Sequence, residues 1–197
     1  MLLKSEDFLD RVDAVEYLAQ QINNDDIASF IIECFNDKNY LVRCEAYDAF
    51  HDSKNKLVFL LLLNKLKVER SKIARMYLVS TLCGIVKNIG MTESQKEFIE
   101  QIYKKEKALN VILAYDCLLY LNDGDVNRIY KVLGNLNSEN YLIRCNVINL
   151  LRDTINESNI CVISTAYRNR LLIEKTDSVK CLLENEIVEI QENFFCS

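Results

Sequence analysis

Cationic residues recur along this chain at a fixed distance from a helix-capping residue, and this spacing favours ion pairing between helices. Each copy has a short polar residue, a second position four residues later that holds a cation in five copies of six, and apolar residues three and seven positions after that. Asp, Asn, Ser and Thr side chains accept hydrogen bonds from the free backbone N–H groups at a helix start. The six copies are Asp7–Arg11–Ala14–Leu18, Asn39–Arg43–Ala46–Phe50, Ser71–Arg75–Leu78–Leu82, Asn110–Ala114–Cys117–Leu121, Asn140–Arg144–Val147–Leu151 and Thr176–Lys180–Leu183–Ile187. The predicted chemistry is structural, because a cation shared between acceptors fixes the registry of neighbouring helices.

Residues that could carry catalysis are scarce. His51 is the single histidine, and it follows Phe50 near the end of a predicted helix, where it can interact with the last backbone carbonyls. The sequence has no CxxC or HExxH motif and no glycine-rich phosphate loop. We therefore expect no catalytic residues, no metal site and no cofactor, and we interpret the chain as a protein without enzymatic activity.

The overall charge favours a basic protein as the partner. The net charge of the 197 residues is −5 with the histidine neutral. Such a chain gains nothing from the counterion release that drives most nucleic-acid binding, so we expect no direct contact with nucleic acid. An acidic surface instead speeds the encounter with a basic protein by electrostatic steering.

The sequence also predicts a cytoplasmic protein without a membrane segment. The longest uncharged apolar run, 57–63, has seven residues, whereas a membrane span needs about 18. The first residues turn acidic before a signal-peptide core could form. The eight cysteines form no CxxC pair, and we expect reduced, mostly buried thiols, with Cys196 the most exposed.

The periodicity of apolar residues predicts an all-helical chain. There are no prolines and four glycines, so the frequent turn residues of strand-rich proteins are missing. Successive cation positions are 32, 32, 39, 30 and 36 residues apart, and one further amphipathic helix is predicted between copies. These intervening helices are predicted at 25–36, 55–68, 92–105, 125–135 and 159–174. A pair of helices cannot cover both apolar stripes alone, so we expect stacked pairs forming a single domain over residues 1–197.

An amide residue followed by a β-branched apolar residue and Arg recurs in two segments, Asp37-Lys38-Asn39-Tyr40-Leu41-Val42-Arg43-Cys44-Glu45-Ala46 and Ser138-Glu139-Asn140-Tyr141-Leu142-Ile143-Arg144. Both segments resemble the second half of HEAT-type repeats, which carry an acidic or amide residue, then Val-Arg, then a small residue. The resemblance implies an all-α fold, a right-handed α–α superhelix of about five to six repeats and about eleven helices. Two features depart from the family: the spacing is shorter than the roughly 40 residues usual for HEAT repeats, and their first-helix proline is missing.

The same resemblance implies a ladder of Asp or Asn and Arg side chains between neighbouring repeats. The residues that match by position are Asn39, Arg43, Arg75, Asn140 and Arg144. Ala114 interrupts the ladder, and Lys180 continues it only as a point charge.

A ridge of residues two and five positions after each cation is the predicted binding surface. These positions lie off the apolar stripe, and in a solenoid they would cross the inner surface. The candidate binding residues are Asp13, Glu16, Glu45, Asp48, Tyr77, Asp116, Asn146 and Asn149. Carboxylates attract cations, and tyrosine is a common interface anchor. The alternative interpretation is an ordinary solvent-exposed helix face, which has a similar composition.

The preferred hypothesis is an immunity protein that binds a basic toxin nuclease domain as a monomer in a 1:1 complex. Several bacterial immunity proteins of contact-dependent growth inhibition are small, acidic and cytoplasmic, and this chain resembles them in size, charge and architecture. The alternative is a HEAT-repeat scaffold or adaptor protein. A third hypothesis, a solenoid that removes alkylated bases from DNA, fits less well, because those proteins are basic along the groove.

Overall fold

The computed structural model describes residues 2–195, and all the regular structure in that range is helical. The eleven α-helices there are α1 Phe8–Ala19, α2 Asp25–Glu33, α3 Tyr40–Asp48, α4 Lys56–Lys65, α5 Lys72–Ile89, α6 Glu93–Tyr103, α7 Leu109–Asp123, α8 Val126–Gly134, α9 Tyr141–Leu151, α10 Ile160–Ile173 and α11 Asp177–Phe195. Short 3₁₀ turns follow α2, α8 and α9. The all-α prediction and the number of helices are confirmed.

The predicted capping residues begin four of the patterned helices. Asp7, Asn39 and Asn140 each accept a hydrogen bond from the backbone N–H two residues later, and Ser71 accepts one from Ala74. The cap predicted at Asn110 is wrong, because α7 already begins at Leu109.

At this helix start, the side chain of Glu106 takes over the role of the missing cap. Its Oε1 accepts the backbone N–H groups of Lys107 and Ala108, at 2.9 Å each. A carboxylate one turn upstream therefore orders the entry into α7.

The chain forms two compact units, Met1–Val111 and Ile112–Ser197. We describe each unit by itself, and a single domain over the whole length stays a prediction. In the first unit α3 packs between α1 and α5, while α2 packs on α1 and α4 on α5. The core of α3 is the predicted apolar stripe, since Val42, Ala46, Tyr47 and Phe50 are all buried.

In the second unit α9 packs against α8 and α11, and α10 packs on α11. Val147, Ile148 and Leu151 of the predicted α9 stripe are fully buried, and Ile143 is half-buried. The Tyr167 side chain fills the space beneath α9 and donates a hydrogen bond to the Ile148 carbonyl at 3.3 Å. The second unit therefore has an apolar core of its own.

A close approach of the turn after α3 to helix α5 depends on a glycine. Gly84 lies in the buried middle of α5, directly against His51. A β-carbon at this position would stand 2.7 Å from both Cδ2 and Nε2 of His51 and closer still to its carbonyl oxygen. Real β-carbons do not approach other atoms this closely, so the contact requires a residue without a side chain.

The cysteines are less buried than predicted. None of the seven described cysteines forms a disulfide; Cys44, Cys83 and Cys117 are buried, whereas Cys161 and Cys181 are exposed. Cys196, the predicted exposed thiol, lies outside the described residues. Within residues 2–195, no helix combines the length and apolar character that crossing a membrane requires.

Candidate functional site

Four of the patterned helices each carry an arginine that forms a two-pronged ion pair with an acid in the turn before the next patterned helix. Arg43 is typical: its Nε and Nη2 donate to Oε2 and Oε1 of Glu69 at 2.6 and 2.8 Å. The four pairs, which we call the arginine struts, are Arg11–Asp37, Arg43–Glu69, Arg75–Glu106 and Arg144–Glu174. This parallel geometry is the strongest arrangement of guanidinium and carboxylate, and it fixes direction as well as distance.

Each strut also closes the turn before its own helix. In Arg43 the remaining nitrogen, Nη1, donates to the carbonyl oxygens of Asp37 and Lys38 at 2.7 and 3.4 Å. The other three arginines repeat this contact with the carbonyls five and six residues upstream. One guanidinium therefore holds its own helix start and the next one together.

The carboxylates of the struts have a second function, because each orders the turn that leads into the following helix. Asp37 Oδ1 accepts the backbone N–H of Asn39 at 2.7 Å, and Glu69 Oε1 accepts that of Ser71 at 2.8 Å. Glu174 Oε1 accepts the N–H groups of Lys175 and Thr176. Sequence reasoning missed these acids, although three of the four lie two residues before a predicted cap.

The amides of the predicted ladder have a different role from the arginines. Asn39 and Asn140 accept hydrogen bonds from the N–H groups of Leu41 and Leu142, within their own helices. Their oxygens therefore cap helices, and the acceptors of the arginines are the strut carboxylates instead.

One predicted cation position lacks its strut at both ends. Ala114 replaces the arginine, and Ser138 stands two residues before the next cap, the position that Asp37, Glu69 and Glu174 hold in three other copies. The Ser138 hydroxyl accepts the N–H of Asn140 at 3.3 Å, so it retains only the turn-forming part of the role. Lys180, the last cation, is 3.7 Å from Asp177 of its own helix.

The pKa values of the strut carboxylates predict loss of stability in acid. Burial alone would raise the pKa of Glu69, but hydrogen bonds from Arg43 and the Ser71 backbone outweigh it, and the net pKa is lowered. The unfolded chain then binds more protons than the folded one, so this contribution is present above the ordinary glutamate pKa of about 4.3 and is lost as the pH falls below it.

We expect urea unfolding measured between pH 7 and pH 3 to reveal this contribution through the variant Glu69→Gln. The amide cannot titrate, so the variant should lose less stability on acidification than the wild type does. Equal slopes for the two proteins would contradict a strut that acts through its charge.

The struts align α1, α3 and α5 in one direction. Arg11 and Arg43 both lie in the first turns of their helices, and both reach the turn just before the next patterned helix. The starts of the three helices therefore lie at the same edge of the first unit. Residues at corresponding positions consequently stand in rows across the three helices.

One exposed surface across these helices carries most of the predicted binding residues. Side chains three and four residues apart share a helix face, and most of the buried residues of α1 and α3 lie away from the face that carries these candidates. We call this surface the acidic face, and its members are Asp13, Glu16, Glu45, Asp48 and Tyr77. Glu45 is half-buried and the other four are exposed.

The carboxylates of the acidic face are close enough to influence one another. The pKa of Glu45 is raised by its partial burial and by the negative charges of Asp48 and Glu16. Burial and the charges of Cys44, Asp48 and Glu45 also raise the pKa of the Tyr77 phenol. Glu16 of α1 and Glu45 and Asp48 of α3 thus form a cluster of negative charge, and the Tyr77 ring of α5 lies beside it.

The remaining candidates lie in the second unit, and one of them is not on a surface. Asp116 is 1% exposed, and its carboxylate is 2.7 Å from Lys131 Nζ and 3.6 Å from Arg128 Nη1. It cannot offer a charge to a partner, because it is buried under two cations of α8. Asn146 is half-buried and Asn149 is exposed on α9.

No protein-family model matches the sequence, and no curated protein matches it. Among solved structures, the chain is similar to an archaeal HEAT-like repeats protein from Thermococcus onnurineus NA1. The two have 13% sequence identity and a TM-score of 0.44, over 97% of this chain and 85% of that one.

Proposed function

We propose that this chain is a non-enzymatic helical-repeat protein that binds a basic partner protein through the acidic face. The observation that carries the proposal is the crowding of Glu16, Glu45 and Asp48 from two helices that the struts hold in register. Like charges brought together oppose folding, and a cationic partner relieves that repulsion. The face is thus better suited to the bound state than to the free one.

Tyr77 supports the same proposal. Its ring is 37% exposed at the margin of the acidic face, and it stands on α5 beside Asp48 and Glu45. Tyrosine supplies a large contact area with few rotatable bonds, which is why it is frequent at binding hot spots. A partner would gain steering from the carboxylates and residence time from the ring.

The finer form of the proposal concerns what the partner does. A scaffold or adaptor protein needs only the repeat architecture and a binding face, and both are supported by residues described above. Neutralisation of a nuclease toxin as a cytoplasmic immunity protein, in a 1:1 complex, is the more specific hypothesis. It is supported by the net charge of −5 and by the Lys and Arg that nucleases carry to hold nucleic acid.

We expect reversal of the four carboxylates Asp13, Glu16, Glu45 and Asp48 to lysine to slow association with the basic partner by about tenfold or more, since steering of this kind raises on-rates by about 10 to 10³. The partner is first captured with the wild-type protein as bait and then purified. Association rates are measured at low and high salt, with helicity followed by circular dichroism. The difference between wild type and variant should shrink as the salt concentration rises.

A matched control reverses four other exposed carboxylates, Glu33, Glu97, Glu184 and Glu192. This variant has the same net charge as the first and should keep most of the binding. If both variants lost the same factor in association rate, the net charge of the protein, and not the acidic face, would explain the effect. For a toxin partner, co-expression of wild type or control, but not of the face variant, should restore growth.

A further inference from the structure

A row of exposed apolar side chains lies beside the acidic face on the same three helices. Leu9, Leu41 and Ile73 each stand two residues after the cap of their helix, and they are 55%, 38% and 41% exposed. Each lies four residues before Asp13, Glu45 or Tyr77, and therefore on the same helix face. The surface is apolar along the edge where the helices start and acidic further along them.

Exposed cations border the apolar row at the starts of α3 and α5, whereas the exposed residue directly before the cap of α1 is Glu6. Lys38 and Arg70 come directly before the caps of α3 and α5, and both side chains are exposed. On α3, a segment lying on this surface would thus meet the positive charge of Lys38, then the apolar Leu41, then the negative charge of Glu45. The cations of such a segment would be attracted by the carboxylates of the acidic face and repelled by Lys38 and Arg70.

We propose that the occupant of this surface is an amphipathic basic helix of the partner protein, lying across α1, α3 and α5. Its apolar stripe covers Leu9, Leu41 and Ile73, and its Lys and Arg side chains face the carboxylates of the acidic face. This inference rests on the proposed function and specifies the partner by its chemistry. Charge complementarity sets the orientation of the helix, and the apolar row sets its position.

The length of the segment follows from the packing of the three helices. Adjacent helix axes are about 10 Å apart, so the outer two are separated by about 20 Å. An α-helix rises 1.5 Å per residue, and about 14 residues are needed to cross all three. A shorter segment would leave one end of the row uncovered.

The test uses a synthetic Lys/Leu peptide of about 18 residues whose leucines recur at helical spacing, as in an amphipathic helix. A second peptide has the same composition in an order without an apolar stripe. Binding of both to the full chain is measured by fluorescence anisotropy at physiological salt. We expect the patterned peptide to bind about tenfold more tightly than the scrambled one, because only it can bury the three apolar side chains.

Two triple variants locate the binding. Changing Leu9, Leu41 and Ile73 to glutamine should remove the preference for the patterned peptide. The control changes Leu57, Leu60 and Leu61 of α4 to glutamine, residues that are 71%, 45% and 43% exposed. This control should keep the preference, and circular dichroism reports whether both variants remain folded.

Equal binding of the two peptides, absence of binding by either, or an unchanged preference after the substitutions on α1, α3 and α5 would overturn the inference. The proposed function is judged separately, by the salt-dependent association of the natural basic partner with the charge-reversed protein. If binding of the natural partner required the carboxylates but not the apolar row, the proposed function would be supported and the inference of an amphipathic helix would be wrong.

Discussion

Replacing Arg144 with alanine is expected to lower the free energy of unfolding by about 3–5 kcal/mol, the range for breaking a buried ion pair from one side. The side chains of Arg144 and Glu174 are 6% and 1% exposed, so water cannot replace the lost partner. The substitution also removes the donor to the carbonyls of Ser138 and Glu139. Arg170 still contacts Glu174 at 2.8 Å and limits the loss.

Urea unfolding with matched controls checks this expectation. Arg168→Ala removes an exposed arginine of α10 and should change the stability by less than about 0.5 kcal/mol. Arg144→Lys keeps the charge but not the two parallel hydrogen bonds, and it should fall between alanine and wild type. Arg43→Ala should cost less, about 1–3 kcal/mol, because that pair is more exposed. If the Arg144→Ala protein were as stable as the Arg168→Ala protein, the ion pair between Arg144 and Glu174 would not stabilise the fold.

The second large effect is expected for Gly84→Ala, which should destabilise the first unit by about 1–3 kcal/mol, the range for overpacking a tight core. A glycine-to-alanine change inside a helix ordinarily stabilises it by about 1 kcal/mol, so the sign itself is informative. Here the new β-carbon collides with the backbone and ring of His51. Backbone cannot move aside as a flexible side chain does, so α5 must shift from the turn after α3.

Gly134→Ala provides the matched control. Gly134 is the last residue of α8, and a β-carbon there meets nothing within 4 Å. This variant should be neutral or slightly stabilised in thermal unfolding. If Gly84→Ala raised the midpoint of thermal unfolding, as is expected for Gly134→Ala, this result would contradict the tight contact between His51 and α5.

The helices could be predicted from sequence because their signals are local. The predicted helix at 25–36, for example, is α2 with its following 3₁₀ turn, and the patterned helices start at Asp7, Asn39, Ser71 and Asn140 as their caps require. The single wrong start, at Asn110, arose because a glutamate upstream forms the turn instead. A side chain from outside the helix overrode the local pattern there.

The partners of the arginines could not be predicted in the same way, because they depend on contacts between repeats. Fixed spacing identifies Arg43 as a recurring cation, but spacing alone does not choose between Asn39 and Glu69 as its acceptor. Only the packing of α3 against α5 brings Glu69 to the guanidinium. An acid two residues before a cap was nevertheless present at Asp37, Glu69 and Glu174, and it is the signal to search for.

Asp116 illustrates the opposite limit. It occupies the same position in its copy as Glu45 does, yet it is buried while Glu45 is half-exposed. The difference arises from α8, whose Lys131 and Arg128 cover the carboxylate. The position of a residue in a helix predicts the direction in which its side chain leaves the helix axis. Whether that side chain is exposed or buried depends on the packing of the neighbouring helix.

The separation between a strut arginine and its carboxylate is 26 residues for both Arg11–Asp37 and Arg43–Glu69. Excision of residues 37–68 would leave Arg11 at this same separation from Glu69. Such a block is a self-contained cassette, since it carries one cation forward and accepts one from behind. Duplication or deletion of a whole cassette therefore preserves the spacing of the ion pair at the new junction, so arrays of different length can arise by recombination with their struts in place.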